Sequence, residues 1–417
     1  MSRRALLWLV FAVVHLGVAV MGFVLPNQPM GDVYLVYEPW SSCALWGGNP
    51  YYCPDGREIM GVTEPWVYPQ LALLPMLAAW LFAWSGYTVG WAVLVTIVDA
   101  AAFAVLVGRG RSRGRVAGAW FWLAFIALLG PVGMYRLDGL TVALAVMGCL
   151  WLAGRPVAAS VLLAVATWIK VWPAALLAAA VVALRARMKV VATAVVVSAA
   201  TAGVVLLAGG GAHLFGFVKG QTDRGLQIEA PVSAVHMWLA ALGVPGSRIY
   251  YDGDMLTFQV SGPGVDVLSA AMTPLMVAVV LAVLGTGAVK LRRGAHAAAL
   301  LPALALGVVM TFIVVNKVGS PQFATWMVAP LVLGLALDRR RWWAPAILAL
   351  TIALLTQLVY PVLYGGVLAA APLPVAVLTL RNLLYVALWV WALVRVARVP
   401  LPAAAARRAA STPFVSI

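Results

Sequence analysis

Charged residues in this mostly apolar chain are concentrated where group transfer to a hydroxyl could take place. Most of the carboxylates lie in two long polar segments, 26–65 and 209–265. Several cations lie between apolar runs, where an ionisable side chain usually faces a wet cavity. Cations stabilise a departing anionic group, and a carboxylate removes the proton from an attacking hydroxyl. We therefore expect these segments to converge on one pocket that supports both steps.

Three short segments contribute cations and one further carboxylate to this pocket. They are Tyr135-Arg136-Leu137-Asp138-Gly139, Trp168-Ile169-Lys170-Val171-Trp172-Pro173 and Asn316-Lys317-Val318-Gly319-Ser320-Pro321-Gln322-Phe323. Lys170 lies between two short apolar runs, 157–168 and 173–184, which predict a pair of brief helices. We expect Lys170 to bind phosphate, and the alternative is that its ammonium group reaches out to lipid headgroups. Arg224 and Lys317 are expected to bind phosphate too, and a guanidinium can hold two phosphate oxygens at once.

The elements that must position these residues are membrane helices. Of the 417 residues, 64% are hydrophobic and only 10% are charged, and the mean hydropathy is +0.99. Apolar runs long enough to cross a bilayer begin near Ala5, Val89, Val116, Gly139, Val190, Asp266, Ala297, Pro321, Trp343 and Pro374. With the two brief helices around Lys170, they predict an all-α polytopic membrane protein with about twelve transmembrane helices.

The charge distribution predicts how these helices are oriented. Basic residues near short loops favour the cytoplasm, and the arginines of 109–115 reach it only if the stretch 66–84 does not fully cross. We interpret 66–84, which Pro75 interrupts, as a re-entrant or interfacial helix that follows a short amphipathic helix. Both termini are then cytoplasmic, and the pocket faces the extracytoplasmic side of the cell membrane. The excess of 28 basic over 13 acidic residues belongs to the cytoplasmic membrane surface and does not indicate nucleic-acid binding.

The chain is predicted to form one transmembrane domain, 1–400, followed by a cytoplasmic tail, 401–417. Its outer loops span about 26–87 and 209–265. Cys43 and Cys53 share the first outer loop, where an oxidising compartment would allow a disulfide without requiring one. The first apolar run lacks a small-residue processing site and indicates a permanent anchor.

The order of several short motifs resembles one family of membrane enzymes. The motifs are Asp32, Tyr37, Trp40, Gly48-Asn49-Pro50-Tyr51, Tyr68-Pro69, Lys170 with Pro173, Arg224-Gly225-Leu226-Gln227-Ile228-Glu229, and Lys317 with Ser320-Pro321-Gln322-Phe323 and Trp326. Each motif alone is weak, but their order resembles the bacterial polyprenyl-phosphate-mannose-dependent mannosyltransferases of glycosyltransferase family 87. Those enzymes have the C-type glycosyltransferase fold, and the resemblance spans nearly the whole chain.

The resemblance implies that mannose moves from a polyprenyl-phosphate donor to a glycolipid or lipoglycan acceptor, as in glycolipid biosynthesis of the cell envelope. It implies that Asp32 is the essential carboxylate and that Asp138 is the second-loop acid which related C-type enzymes keep. One attack on a β-linked sugar phosphate from its opposite face would give an inverted, α-linked product, so one carboxylate base suffices. The chain departs from the family at Gln70, where proline is common, and at Gln322, where some members have histidine.

Residues expected to bind substrate around the pocket are Tyr37, Glu64, Tyr68, Arg136, Asp138, Glu229, His236 and Gln322. Simpler interpretations remain open for several of the candidates. Asp32 can cap the helix that follows it, and Arg136 can merely pair with Asp138. Glu64 can be an ordinary loop acid, Glu229 can be a helix-start acid, and His236 is a substitute base of low weight.

Two other functions and the question of cofactors remain open. No residue in the sequence plainly determines which donor sugar is bound. The alternative enzyme is therefore an arabinofuranosyltransferase that uses polyprenyl-phosphate arabinose. A lipid or sugar transporter or flippase is the alternative from another class, although such proteins typically show two related halves and a site at mid-depth. The sequence identifies no cofactor with certainty, and a divalent metal is compatible with the pocket but not required. Asp252-Gly253-Asp254 is interpreted as a solvated turn.

Overall fold

The computed structural model describes residues 2–49, 51–54, 56–222, 224–253 and 255–401. Within these ranges, seven helices are long and apolar enough to cross a membrane: Arg3–Val24, Tyr87–Val107, Arg187–Leu207, Val265–Arg292, Ala297–Val314, Pro321–Val362 and Pro372–Ala397. The protein is therefore a mostly helical membrane protein, as its hydropathy predicts. From position 402 onward, the predicted tail lies outside the described residues.

The helices and strands are named here in chain order. In order they are α1 (Arg3–Val24), α2 (Glu38–Leu45), α3 (Leu73–Ala78), α4 (Tyr87–Val107), α5 (Arg113–Leu129), α6 (Pro131–Tyr135), α7 (Leu137–Trp151), α8 (Pro156–Ile169), α9 (Ala174–Ala183), α10 (Arg187–Leu207), α11 (Gly216–Thr222), α12 (Ala234–Ala241), β1 (Arg248–Asp252), β2 (Thr257–Ser261), α13 (Val265–Arg292), α14 (Ala297–Val314), α15 (Val328–Gln357), α16 (Tyr364–Leu368) and α17 (Pro372–Ala397). Short 3₁₀ or π-helical turns extend them at Val33–Tyr37, Gln70–Ala72, Ala79–Phe82, Gly211–His213, Pro231–Ser233, Pro321–Met327 and Leu358–Val362.

Short and merged helices account for the difference between seven long helices and the twelve predicted spans. Helices α5, α7, α8 and α9 have 17, 15, 14 and 10 residues, fewer than the roughly 20 that cross a bilayer without tilt or thinning. Helix α15 contains two helical segments, because Asp338 between them has non-helical angles of φ −147° and ψ 72°. The number twelve stays a prediction, whereas the predicted pair of brief helices around Lys170 is present as α8 and α9.

The helix bundle has two chemically different ends. At the first, which we call the arginine end, Gly110 lies against Arg4 and Gly114 lies against Ala336. A Cβ atom at Gly114 would lie 2.6 Å from the carbonyl oxygen of Ala336, so glycine permits the close approach of α5 and α15. At the second, which we call the loop end, the long segments 25–86 and 208–264 meet the connections 130–137, 170–173 and 315–320.

The helical segment Gln70–Phe82 stays at the loop end. The Nε2 of Gln70 donates hydrogen bonds to the carbonyl oxygens of His213 at 3.1 Å and Leu214 at 2.9 Å. At the other end of the segment, Trp80 Nε1 donates to Ser41 Oγ at 2.9 Å. Because both of its ends contact loop-end residues, the segment does not reach the arginine end, and its re-entrant or interfacial position in the membrane stays a prediction.

Two small structures complete the loop end. Helix α2 begins at Glu38 with Pro39 in its first turn, and Cys43 forms a disulfide with Cys53, so the chain between them is closed onto the helix. Strands β1 and β2 form an antiparallel hairpin, which the sequence did not predict. The segment 226–228 extends this hairpin, because Val260 N donates to Leu226 O at 2.9 Å.

Candidate active site

Asp138 and Lys170 form an ion pair at the loop end. Asp138 lies in the first turn of α7, and Lys170 connects α8 to α9. The distance from Lys170 Nζ to Asp138 Oδ2 is 3.2 Å, and the two side chains are 16% and 1% exposed, respectively. The other carboxylate oxygen, Asp138 Oδ1, accepts a hydrogen bond from Trp326 Nε1 at 2.6 Å. The carboxylate is thus held from two sides, whereas the ammonium group stays partly accessible.

Aromatic rings surround the Lys170 ammonium group. Lys170 Nζ lies 4.5 Å from the centre of the Tyr68 ring, a cation–π contact. Trp172 and Trp326 stack with their ring centroids 5.9 Å apart and an interplanar angle of 10°. Phe323 stacks on the same Trp326, with centroids 4.0 Å apart. These rings fix the geometry of the ion pair and form one wall of a cavity.

A cavity of about 330 Å³ opens beside this pair. Its polar lining comprises Tyr68, Lys170, Arg224, Thr273, Asn316, Ser320 and Gln322. Its apolar lining includes Val67, Val171, Phe217, Val218, Met276 and Phe312, together with the stacked aromatic rings. The volume lies at the lower end of the range typical of small-molecule sites. Two cations and a largely apolar lining suit a ligand with an anionic head and a hydrocarbon chain.

A second ion pair joins Asp32 to Arg136, and it decides two interpretations that the sequence left open. Their side chains are 29% and 11% exposed, respectively. Asp32 makes no capping hydrogen bond to the turn that follows it, so its interpretation as a helix cap is wrong. The pairing of Arg136 with Asp138 alone is also wrong, because Asp138 contacts Lys170 instead.

Arg136 links the two ion pairs. It interacts electrostatically with Asp138 and with Tyr360, and the Tyr360 hydroxyl donates to the carbonyl oxygen of Asn27 at 3.0 Å. Tyr37 supports the same segment from the core, since its hydroxyl accepts a hydrogen bond from Leu137 N at 3.3 Å. Tyr37 is only 1% exposed, so its position explains the geometry of 136–138 and offers little surface to a substrate.

Arg224 reaches the cavity from the hairpin side. Its Nε donates to Gly220 O at 3.3 Å. Burial lowers the pKa of Arg224, while Tyr68 and Asp252 act in the opposite direction. Asp252 also accepts a hydrogen bond from Gln259 Nε2 at 2.7 Å, so the interpretation of Asp252 as merely a solvated turn residue is incomplete.

Lys317 is placed differently from the other two candidate phosphate-binding residues. It is 6% exposed, and its carbonyl oxygen accepts a hydrogen bond from Gln227 N at 3.0 Å. Its neighbours Asn316 and Ser320 line the cavity. A Cβ at Gly319 would lie 2.2 Å from the backbone nitrogen of Ala230, so glycine is needed where this segment crosses 227–230.

Glu229 belongs to a buried ion pair. Arg381 Nη1 donates to Glu229 Oε2 at 2.7 Å, Arg381 Nη2 donates to Glu229 O at 2.7 Å, and Asn382 Oδ1 accepts from both Nε and Nη2 of Arg381. The side chains of Arg381 and Glu229 are 1% and 4% exposed. Burial raises the pKa of Glu229, and the Arg381 guanidinium partly offsets that shift. This geometry indicates that Glu229 anchors the 224–230 segment to α17.

Of the remaining candidate substrate-binding residues, one lines the cavity and two lie elsewhere. Gln322 lines the cavity. Glu64 lies in a turn that Gly61 N closes by donating to Glu64 O at 2.9 Å. His236 is 6% exposed, and its Nε2 lies 3.2 Å from Pro263 O. The structure therefore brings Tyr68, Lys170, Arg224 and Gln322 together directly and places Asp138 behind Lys170.

Some residues at the site were missed by sequence reasoning. Arg381 lies within the apolar run that forms α17, and an arginine in such a run is itself a signal of a specific partner. Trp172 and Asn316 line the cavity and lie next to the predicted Lys170 and Lys317. Adjacency to a candidate cation could have identified both.

The family model for Glycosyltransferase family 87 matches residues 66–252, which is less than half of the chain. The matched stretch runs from the segment before Gln70–Phe82 into β1. It includes Tyr68, Asp138, Lys170 and Arg224, and it excludes Asp32 and Trp326. No curated protein matches the chain.

Proposed function

We propose that this protein is an inverting glycosyltransferase that moves mannose from a polyprenyl-phosphate donor to a glycolipid or lipoglycan acceptor. The reaction takes place on the extracytoplasmic side of the cell membrane, at the loop end of the bundle. The match to Glycosyltransferase family 87 supports the general activity. The choice of mannose and of a polyprenyl phosphate rests on the resemblance in motif order and on the chemistry of the cavity.

The cavity is the observation that carries the proposal. Lys170 and Arg224 present two cations to the same space, and that space is otherwise mostly apolar. A lipid phosphate has a matching distribution of charge, because its anionic head requires cations and its chain requires hydrocarbon surroundings. Lys170 and Asn316 follow the last residues of α8 and α14. This location at helix ends supports an enzyme facing one side of the membrane over a transporter with a site at mid-depth.

The proposed reaction is a single displacement at the anomeric carbon. The acceptor hydroxyl oxygen forms a bond to this carbon while the bond to the phosphate oxygen breaks, and the phosphate stays on the lipid. Lys170 and Arg224 stabilise the charge that develops on the phosphate. Because phosphate is a good leaving group, a second carboxyl group is not needed to protonate it, unlike in glycosidases.

Asp32 is the proposed general base, and Arg136 orients its carboxylate. Asp32 is the most exposed of the paired acids described at the loop end, with 29% of its side chain accessible against 1% for Asp138 and 4% for Glu229. An accessible carboxylate can reach the acceptor hydroxyl and take its proton. Asp138, held by Trp326 and Lys170, positions the Lys170 ammonium group for the donor.

A transfer assay with the full-length protein in membranes tests this assignment. Radiolabelled polyprenyl phosphomannose is the donor, and the labelled glycolipid fraction is the product measured. Asp32→Asn keeps the shape of the side chain and removes the base, so we expect transfer to fall at least about 100-fold. The matched control is Asp338→Asn, which removes an acid at the arginine end and leaves transfer unchanged.

The possible outcomes test the identity of the base and the identity of the donor sugar independently. Retained transfer by Asp32→Asn, at normal expression, rejects Asp32 as the base. Polyprenyl phosphoarabinose is tested in parallel, and transfer from it alone rejects mannose as the donor sugar. Failure of both donors with the wild-type protein rejects the proposed reaction.

A further inference from the structure

Four aromatic side chains form a row that leads away from the Asp32–Arg136 pair. The row consists of Tyr360, Tyr364, Phe258 and Tyr251. Consecutive ring centroids are 4.8, 6.1 and 5.0 Å apart. Its inner end is tied to the candidate base, because Arg136 interacts electrostatically with Tyr360 and pairs with Asp32. The row therefore connects the proposed reaction centre with the hairpin.

Tyr360, Tyr364 and Phe258 are half-buried, and Tyr251 at the outer end of the row is exposed. Phe258 and Tyr364 pack against the small hydrophobic cluster beneath the hairpin, which includes Leu226, Val260 and Val367. Packing therefore explains these two rings. Tyr251 contacts the Phe258 ring across the hairpin but lies outside that cluster, and it is 53% exposed, so about half of this large aromatic residue stays uncovered.

The combination of rings and charges matches the surface of a sugar. A pyranose ring has an apolar face of C–H groups and a rim of hydroxyls. Aromatic rings provide large apolar contact area, and a carboxylate and a guanidinium accept from and donate to hydroxyls. A sugar seated at Asp32 would direct its neighbouring sugar residues along the row.

We propose that the aromatic row is an acceptor subsite that binds the carbohydrate part of the acceptor. This inference rests on the proposed function and deepens it by locating the acceptor. The donor phosphate lies in the cavity at Lys170 and Arg224, whereas the acceptor sugar lies on the Asp32 side. The short step from Arg136 to Asp138 joins the two, so the reacting hydroxyl and the leaving phosphate meet there.

The test is a binding measurement that needs no donor. The full-length protein in nanodiscs is titrated with α-linked mannotriose, and binding is followed by saturation-transfer difference NMR. Wild type binds the trisaccharide, and Tyr251→Ala weakens binding about five- to tenfold through loss of one stacking contact. Tyr251→Phe keeps the ring and retains binding. The matched control is Tyr52→Ala, because Tyr52 is equally exposed at 51% but lies in the disulfide-closed loop.

Each outcome decides the proposal. Absence of binding by wild type, equal binding by Tyr251→Ala, or equal losses in Tyr251→Phe and Tyr251→Ala overturns it. In the transfer assay, Tyr251→Ala is expected to raise the KM for the acceptor while leaving kcat and the KM for the donor unchanged. If wild type binds mannotriose but transfers no sugar, the subsite is retained and the proposed function fails.

Discussion

Two of the carboxylate–cation pairs at the loop end are similar in composition but differ in how accessible the cation is. In Asp138–Lys170 and in Glu229–Arg381 the acid is almost completely buried, at 1% and 4% exposure. The guanidinium of Arg381 is enclosed by protein acceptors, whereas the ammonium group of Lys170 lines a cavity. Burial of an ion pair therefore does not mark a functional site. Access of its cation to an open space is the feature that makes Asp138–Lys170 the candidate.

The largest effect is expected when the enclosed pair is broken. Arg381→Met leaves a buried carboxylate without its cation, and we expect a loss of about 3–5 kcal/mol in the free energy of unfolding. Unfolding in detergent, followed by intrinsic fluorescence, measures it. The control Arg398→Met, at the exposed end of α17, changes little. The double variant Glu229→Gln/Arg381→Met should recover much of the loss, and no recovery would contradict the description of this pair.

Breaking the accessible pair should affect ligand binding more than stability. If Lys170 binds the donor phosphate as proposed, Lys170→Met removes a charge-assisted hydrogen bond, so we expect affinity for a polyprenyl monophosphate to fall about 10- to 100-fold. Stability falls less than in Arg381→Met, because Asp138 keeps its bond from Trp326. Isothermal titration in nanodiscs measures affinity, and the exposed Lys189→Met is the control. Unchanged affinity would reject the phosphate role of Lys170.

A smaller effect is expected at the hydrogen bond that supports the accessible pair. Trp326→Phe keeps an aromatic ring against Trp172 and Phe323 but removes the donor to the charged Asp138 Oδ1, at a cost of about 1.5–3 kcal/mol in stability. The comparison variant is Trp80→Phe, which removes a donor to Ser41 Oγ. Affinity for the polyprenyl monophosphate is then measured for both variants. If it falls equally in both, Trp326 has no special role in positioning Lys170.

The smallest effect is expected at an exposed pair. Arg341 Nη1 lies 3.5 Å from Asp338 Oδ2, and the side chains are 60% and 40% exposed. Solvent screens such a pair, so Arg341→Ala should change the free energy of unfolding by less than about 1 kcal/mol. Thermal unfolding measures it, and a loss as large as that of Arg381→Met would refute the role assigned to burial.

The sequence could predict which segments meet, but not which side chains pair. Hydropathy and the position of Lys170 predicted α8, α9 and the convergence with 136–138, because a cation between apolar helices needs polar surroundings. Asp138 pairs with Lys170 and not with Arg136, since residues two positions apart do not face each other at the start of a helix. The pairing of Glu229 with Arg381, 152 residues away, depends on tertiary contacts that no local pattern encodes.

The two strands in the second long segment, 208–264, could not be predicted from the sequence either. Strands β1 and β2 are five residues each, and their burial does not alternate cleanly, so they lack the period-two pattern that identifies a half-buried strand. They are stabilised by contact with 226–228 and by the cluster beneath them. The hairpin is what brings Asp252 near Arg224.

The disulfide between Cys43 and Cys53 allows the chain's own cysteines to show on which side of the membrane this loop lies. The third cysteine, Cys149, is a buried free thiol in α7. A chain denatured and alkylated without a reductant should therefore gain one maleimide-polyethylene glycol adduct, and a reduced chain should gain three. In strains that lack periplasmic thiol oxidation, the disulfide would not form and all three cysteines would be labelled. The size shift on a gel therefore shows in which compartment this loop lies, and no engineered tag is needed.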